Sequence, residues 1–141
     1  KMEKLIYLDT NIYIDYFKNR TDYLRPLGEF AFQLLRRTFG CEFKIIVSGI
    51  VLEELTRNGY SKQTRMLIDR LKEENKLVYT DAAEEELSSA VEVAKNRQTH
   101  YADALHAIVA QRAGAEYLIT RNIVDFENLQ DFVAVRYPES L

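Results

Sequence analysis

Short apolar runs, each long enough for one buried strand, recur along the chain and are separated by segments with helical spacing. The runs are Leu5–Leu8, Lys44–Val47, Leu77–Tyr79, Tyr117–Ile119 and Phe132–Val135. Continuous apolar strands are typical of a parallel sheet covered on both faces, because half-exposed strands would alternate polar and apolar residues. The pattern therefore predicts an α/β fold with three layers, α/β/α, around a central, mostly parallel sheet of about five strands.

The segments between these runs predict the helices. Helices are expected at about 12–17, 24–39, 48–57 and 102–113, with two more after residues 61 and 81. Ser48 and Ser61 are candidate N-cap residues, and Asp81 and Glu84 have the spacing of a capping box. Gly114 follows the last predicted helix and is a candidate left-handed terminator.

Length and composition limit the possible classes of protein. The chain has 141 residues, 47% of them hydrophobic, which fits a single domain over residues 2–141. No apolar run approaches the roughly 20 residues of a membrane span, and the first residues lack a signal-peptide core. One cysteine, Cys41, forms neither a disulfide framework nor a Cys/His metal cluster, so a reducing cytoplasm is expected. The net charge of −3 argues against broad electrostatic binding of nucleic acid, but not against a nuclease with an acidic centre.

Three carboxylates occur in strongly apolar surroundings: Asp9, Glu54 and Asp103. A carboxylate pressed against a core must be paired, neutralised or bound to a cation, and no matching set of Lys or Arg accompanies these three. Hard divalent cations such as Mg²⁺ or Mn²⁺ prefer oxygen ligands of this kind. The sequence therefore predicts a divalent metal site, and hydrolysis of a phosphate ester is the chemistry that such a site suggests.

The predicted topology brings these acidic residues together. Ligands of open parallel sheets bind beyond the carboxyl ends of the strands, where neighbouring crossovers leave in opposite directions. Asp9-Thr10-Asn11 directly follows the first predicted strand, and Thr120-Arg121-Asn122 directly follows the fourth. Glu54 lies in the helix after the second strand, and Asp103 begins the helix before the fourth, so all are expected to face one site. Glu54 is preferred to its neighbour Glu53, because its helical spacing from the apolar residues 50 and 51 turns it inward.

Four segments together resemble a known family. They are Leu8-Asp9-Thr10-Asn11, the stretch from Ser48 to Leu55 with Glu54, Asp103 to Ala110, and Leu118-Ile119-Thr120-Arg121-Asn122 followed by Asp125-Phe126. In this order and spacing they resemble the PIN-domain ribonucleases, most of all the toxin subunits of VapBC-type toxin–antitoxin pairs. The resemblance implies a Mg²⁺- or Mn²⁺-dependent endoribonuclease that cuts single-stranded regions of RNA. It also implies a homodimer and a small antitoxin partner.

The resemblance also implies roles for individual residues. Asp9, Glu54 and Asp103 match the three acidic metal ligands of the family. The fourth acidic position falls on Asn122, which is neutral, and Asp125 lies close enough in sequence to act as a metal ligand in its place. Those five residues form the expected catalytic set. Polar positions expected to hold the carboxylates and water are Thr10, Asn11 and Thr120.

Simpler interpretations remain open. Asp9 fits a helix N-cap, Asp103 fits a helix first turn favoured by the dipole, and His106 fits a packed or hydrogen-bonded residue without a catalytic role. Two other functions are alternatives. One is a PIN-like module that binds RNA or protein with weak or absent catalysis, which the neutral Asn122 favours. The other is a phosphatase of the haloacid dehalogenase type, which requires a second Asp where this chain has Asn11.

Overall fold

The computed structural model describes residues 2–19 and 24–141. Its strands are β1 (Lys4–Leu8), β2 (Phe43–Ser48), β3 (Leu77–Thr80), β4 (Tyr117–Ile119) and β5 (Ala134–Arg136). Its α-helices are α1 (Thr10–Lys18), α2 (Leu27–Phe39), α3 (Gly49–Arg57), α4 (Ser61–Glu73), α5 (Glu84–Arg97) and α6 (Tyr101–Arg112). Two 3₁₀ helices follow, at Ile123–Leu129 and Pro138–Ser140. In these ranges, no helix has the length and apolar character needed to cross a bilayer.

The described strands form one sheet in the order β3-β2-β1-β4-β5, and every neighbouring pair is parallel. The chain moves from β1 through β2 to one edge, then crosses to β4 and β5 on the other side of β1. Because such crossovers are right-handed, α1 to α4 cover one face and α5, α6 and the first 3₁₀ helix cover the other. The predicted three-layer fold is confirmed, with a sheet that is fully parallel.

The core lies on both faces of β1 and β2. Ile6, Tyr7, Ile45 and Ile46 are fully buried, as expected for the two central strands of a doubly covered sheet. Burial of each large apolar side chain stabilises the fold by roughly 1.5–3 kcal/mol. Strand β1, which Asp9 directly follows, therefore lies in the centre of the core.

Two helix ends follow the predicted chemistry, and one differs. Ser48 caps α3, since its Oγ accepts a hydrogen bond from the Val51 N–H at 3.3 Å. Gly114 has a φ of +84°, which confirms the left-handed terminator after α6. Helix α2, predicted to begin at about Leu24, begins at Leu27 because Pro26 disfavours helical backbone in the residue before it.

Two predicted caps are displaced. Ser61 is the first helical residue of α4 and not its cap. The capping contact of α5 lies two residues after the predicted pair, where the N–H of Ala83 donates to Glu86 Oε1 at 2.8 Å. Asp81 is engaged elsewhere, because its Oδ1 accepts a hydrogen bond from the Tyr79 hydroxyl at 2.8 Å.

Candidate metal centre

The carboxyl ends of β1 and β4 place Asp9 beside Thr120. The Asp9 N–H donates to the carbonyl of Ile119 at 2.8 Å, and Thr120 Oγ1 donates to Asp9 Oδ2 at 3.0 Å. Asp9 occupies the N-cap position of α1, but within the described ranges its side chain makes no capping hydrogen bond. The N-cap interpretation therefore does not account for this carboxylate, which is only 7% exposed.

Burial shifts the ionisation of Asp9. It raises the pKa of this carboxyl above its ordinary value, and the charge of Glu54 acts in the same direction. The positive field of His106 and the hydrogen bond from Thr120 act in the opposite direction, but they do not offset burial. A negative charge on Asp9 is thus only partly compensated by the protein.

Asp103 lies in the first turn of α6 and is half-buried. Burial raises its pKa to about 6, with further contributions from the charges of Asp9 and Asp125. Asp125 itself is exposed, in the first turn of the 3₁₀ helix after β4. The structure therefore brings Asp9 and Asp103 into one electrostatic environment, and the charge of Asp125 reaches it.

Glu54 turns inward from α3, as predicted. Its side chain is 22% exposed, whereas that of Glu53 is 74% exposed and pairs with Arg57 along the helix surface. The hydroxyl of Thr10 donates to Glu54 Oε1, and His106 Nε2 lies 2.9 Å from the same oxygen. Burial acts to raise the pKa of Glu54, but the hydrogen bonds from His106 and Thr10 outweigh it, so the pKa lies below its ordinary value.

The contact between His106 and Glu54 was not predicted from the sequence. The prediction that His106 is packed and hydrogen-bonded is confirmed, but its partner is the acidic residue Glu54 on another helix. Burial acts to lower the pKa of His106, and the hydrogen bond to Glu54 with the charges of Asp9 and Asp103 raises it overall. One available signal was spacing, since residue 106 lies one helical turn after Asp103 and shares its face.

Of the other predicted site residues, the two threonines hydrogen-bond to the carboxylates, whereas the side chains of the two asparagines do not in the part of the chain that the structure describes. Thr10 contacts Glu54, and Thr120 contacts Asp9. Asn122 occupies the N-cap position of the 3₁₀ helix, and its backbone N–H donates to Thr120 Oγ1 at 3.3 Å while its side chain is exposed. Asn11 is half-buried in the first turn of α1, and the described residues show no hydrogen bond from its side chain to the carboxylates.

The donor atoms fit a hard divalent cation. Asp9, Glu54, Asp103 and Asp125 offer only oxygen, and in the described ranges neither Asp9 nor Asp103 is paired with Lys or Arg. The same part of the chain contains no group of three His, Cys, Asp or Glu side chains close enough to form a ready metal-binding cluster. The chemistry of the ligands therefore fits Mg²⁺ or Mn²⁺, which retain water among their ligands, although the carboxylates do not form a closed shell.

Fold and centre together define a class of protein: a parallel α/β domain with an acidic residue, Asp9, at the carboxyl end of its central strand and further carboxylates on the neighbouring helices. The chain belongs to the PIN domain family, which matches residues 6–130. No curated protein matches this sequence.

Solved structures show the same fold. A chain of VapBC2 from Rickettsia felis, bound to a DNA fragment from its promoter, is 18% identical, with a TM-score of 0.65 over 94% of this chain and 98% of that one. A chain of VapBC-1 from nontypeable Haemophilus influenzae is 20% identical, with a TM-score of 0.65 over 96% and 98%. A toxin–antitoxin complex from Klebsiella pneumoniae contains a chain that is 23% identical, with a TM-score of 0.63 over 94% and 97%. At these identities the likeness concerns the fold.

Proposed function

We propose that this chain is a Mg²⁺- or Mn²⁺-dependent endoribonuclease that hydrolyses phosphodiester bonds in single-stranded regions of RNA. Membership of the PIN domain family supports nuclease chemistry. The observation that carries the proposal is the pair Asp9 and Asp103, two carboxyls whose pKa values are raised by burial and which form no ion pair with Lys or Arg among the described residues. Such uncompensated charge is stabilised when a cation binds.

We assign two roles to the residues of the site: some would bind the cation, and others orient the residues that bind it. Asp9, Glu54 and Asp103 would hold it, with Asp125 and Asn122 completing the side nearest the 3₁₀ helix. A bound cation would supply Lewis-acid stabilisation of the charge that develops on the phosphodiester. Orienting contacts come from Thr120 on Asp9 and from Thr10 on Glu54, and Asn11 would bind water.

We further propose that the chain is the toxin of a toxin–antitoxin pair, that it acts in the cytoplasm and that it forms a homodimer. The fold that it shares with chains of the VapBC complexes supports this assignment. A largely apolar, partly exposed surface between α1, α2 and α4 also supports a protein partner. Met66 is 66% exposed there, and Tyr16, Phe17 and Phe39 are half-buried around it.

The test of the nuclease is cleavage of a mixed pool of single-stranded RNA with Mg²⁺, Mn²⁺ or a chelator. The adjacent glutamates provide a matched pair of variants, because Glu54→Gln alters the half-buried carboxylate and Glu53→Gln alters an exposed one. We expect Asp9→Asn and Glu54→Gln to lower the cleavage rate at least 100-fold and Glu53→Gln to leave it within about twofold. Cleavage that survives in the chelator, or in both site variants, would contradict the proposal.

A binding module without catalysis is the second candidate. Two observations favour it: the neutral Asn122 at the fourth position, and the lack of a ready metal-binding cluster in the described part of the chain. Such a module would bind the same RNA equally well with Mn²⁺ and with chelator, and would produce no cuts in either. The phosphatase alternative loses its support, because the chain belongs to the PIN domain family.

A further inference from the structure

A hydrogen-bond network of buried polar side chains lies beneath the acidic centre and ends at Glu54. Ser48 Oγ lies 2.7 Å from the Tyr7 hydroxyl, and the same hydroxyl lies 2.6 Å from His106 Nδ1. His106 Nε2 continues the network to Glu54 Oε1 at 2.9 Å. Ser48 and Tyr7 are fully buried and His106 is 1% exposed, so solvent does not compete for these bonds.

The four residues of this network come from four secondary-structure elements, β1, β2, α3 and α6. Tyr7 belongs to the central strand β1, Ser48 ends β2 and caps α3, His106 lies on α6, and Glu54 lies on α3. The rings of Tyr7 and His106 meet edge to face, with centroids 5.6 Å apart and an interplanar angle of 63°. Hydrogen bonds that include Tyr7 of the sheet thus connect α3 and α6, which lie on opposite faces of it, and they end at Glu54 Oε1.

Packing alone does not require polar groups here. A buried hydroxyl or imidazole costs free energy unless each of its polar atoms is hydrogen-bonded, and apolar residues of the same size fill a core without that cost. Tyr13 illustrates the contrast, because its buried hydroxyl has no hydrogen-bond partner in the described part of the chain. The Tyr7 hydroxyl, by comparison, contacts two partners and fixes the plane of the His106 ring.

The direction of the last bond follows from donor and acceptor chemistry. A carboxylate only accepts, so His106 Nε2 carries the proton that it donates to Glu54. The Tyr7 hydroxyl both donates and accepts, and it therefore satisfies Nδ1 whether that nitrogen is protonated or not. The Nε2–H contact consequently does not depend on the charge of His106. Thr10 also donates to Oε1, and the described residues form no hydrogen bond to Oε2.

We propose that Tyr7 and His106 are positioning residues that hold Glu54 through Oε1 and leave Oε2 directed to the bound cation. This inference rests on the proposed metal-dependent nuclease. Tyr7 acts one step removed, because it orients the His106 ring and makes no contact with Glu54. In this proposal neither residue contacts the cation or the substrate.

The test is a calorimetric titration of Mn²⁺ into the full chain, compared across matched variants whose melting temperatures are measured in parallel. Tyr7→Phe removes only the hydroxyl that orients the ring, and His106→Asn keeps a polar group near Tyr7 but loses the donor towards Glu54. Both are expected to weaken Mn²⁺ binding about 10-fold or more. His106→Gln places an amide N–H near the former Nε2 and is expected to restore binding to within about threefold. Tyr13→Phe, which removes an unpartnered buried hydroxyl, should leave Mn²⁺ affinity unchanged.

A second comparison separates positioning from general loosening of the fold. If His106 acts through Glu54, His106→Asn has no further effect on Mn²⁺ affinity in a Glu54→Gln background. Tyr7→Phe and His106→Asn variants that bind Mn²⁺ as tightly as the wild type would overturn the inference alone. Equal weakening by Tyr13→Phe, or additive effects in the double variant, would overturn it as well. A wild-type chain that binds no Mn²⁺ would overturn the proposed function and this inference together.

Discussion

Asp103→Asn is expected to stabilise the metal-free protein while it removes activity. Burial, with the charges of Asp9 and Asp125, raises the Asp103 pKa from an ordinary 3.8 to about 6. At about 1.36 kcal/mol per pH unit, this difference corresponds to about 3 kcal/mol of destabilisation when the group is ionised. Because the side chain is only half-buried and solvent screens its charge, we expect a gain of about 1–2 kcal/mol in the free energy of unfolding. For a domain of this size the gain corresponds to roughly 3–6 °C in melting temperature.

The gain depends on pH in a direction that linkage fixes. Between pH 3.8 and about 6 the folded state binds more protons at Asp103 than the unfolded state, so wild-type stability falls as the pH rises through this window. The advantage of Asp103→Asn is therefore complete above about pH 6, about half as large near pH 5, and absent below about pH 3.8. Urea denaturation with chelator at pH 8 and pH 5 measures both values.

Asp131→Asn provides a control of opposite sign. Asp131 pairs with Arg97 at 2.6 Å, and this guanidinium lowers the pKa of its carboxyl, so its neutralisation should not stabilise the protein. Saturating Mn²⁺ should reverse the order of wild type and Asp103→Asn, because a ligand at 100 times its dissociation constant adds about 2.7 kcal/mol to the form that binds it. An Asp103→Asn variant that is no more stable than wild type at pH 8 without metal would refute the electrostatic reasoning.

Two further predictions concern the surroundings of the site. Thr120→Val removes the hydrogen bond to buried Asp9 and should lower the free energy of unfolding, measured by urea denaturation, by about 1–3 kcal/mol. Thr120→Ser should restore most of that stability, whereas equal losses in both variants would show that the methyl group matters and the hydroxyl does not. Gly28→Ala should cost about 1–3 kcal/mol, because its new Cβ would lie 2.4 Å from Asn19 Cα at the junction of α1 and α2; an unchanged melting temperature would contradict the contact.

The fold was largely predictable because a doubly covered parallel sheet leaves a simple pattern. Its strands are apolar on both faces, so the run at Leu5–Leu8 could be identified without knowledge of its neighbours. The bounds of the edge strand were harder to predict from the sequence. The last strand was expected at Phe132–Val135 and lies at Ala134–Arg136, since an edge strand that ends in an exposed Arg lacks the same continuous pattern.

The acidic centre was predictable to the extent that strand ends determine it. Asp9 and Thr120 each follow a strand, and parallel pairing of β1 with β4 is sufficient to bring them into contact. The contact between Tyr7 and His106 joins residues 99 positions apart and depends on how α6 packs on the sheet. In the sequence Tyr7 is one more large residue in a buried strand, so no local pattern distinguishes it from its apolar neighbours.

The carboxylates of the centre are compensated in two different ways, and this difference has a consequence for metal binding. Glu54 receives hydrogen bonds from Thr10 and His106, which keep its pKa low, so it is charged before any cation arrives. Asp9 and Asp103 have raised pKa values and gain most from a cation. Metal uptake should therefore release protons from both aspartates, and the pKa of about 6 of Asp103 leaves part of that carboxyl protonated near pH 6. Mn²⁺ affinity should accordingly rise with pH through this range in the wild type, and Asp103→Asn should lose the part of that dependence that Asp103 contributes.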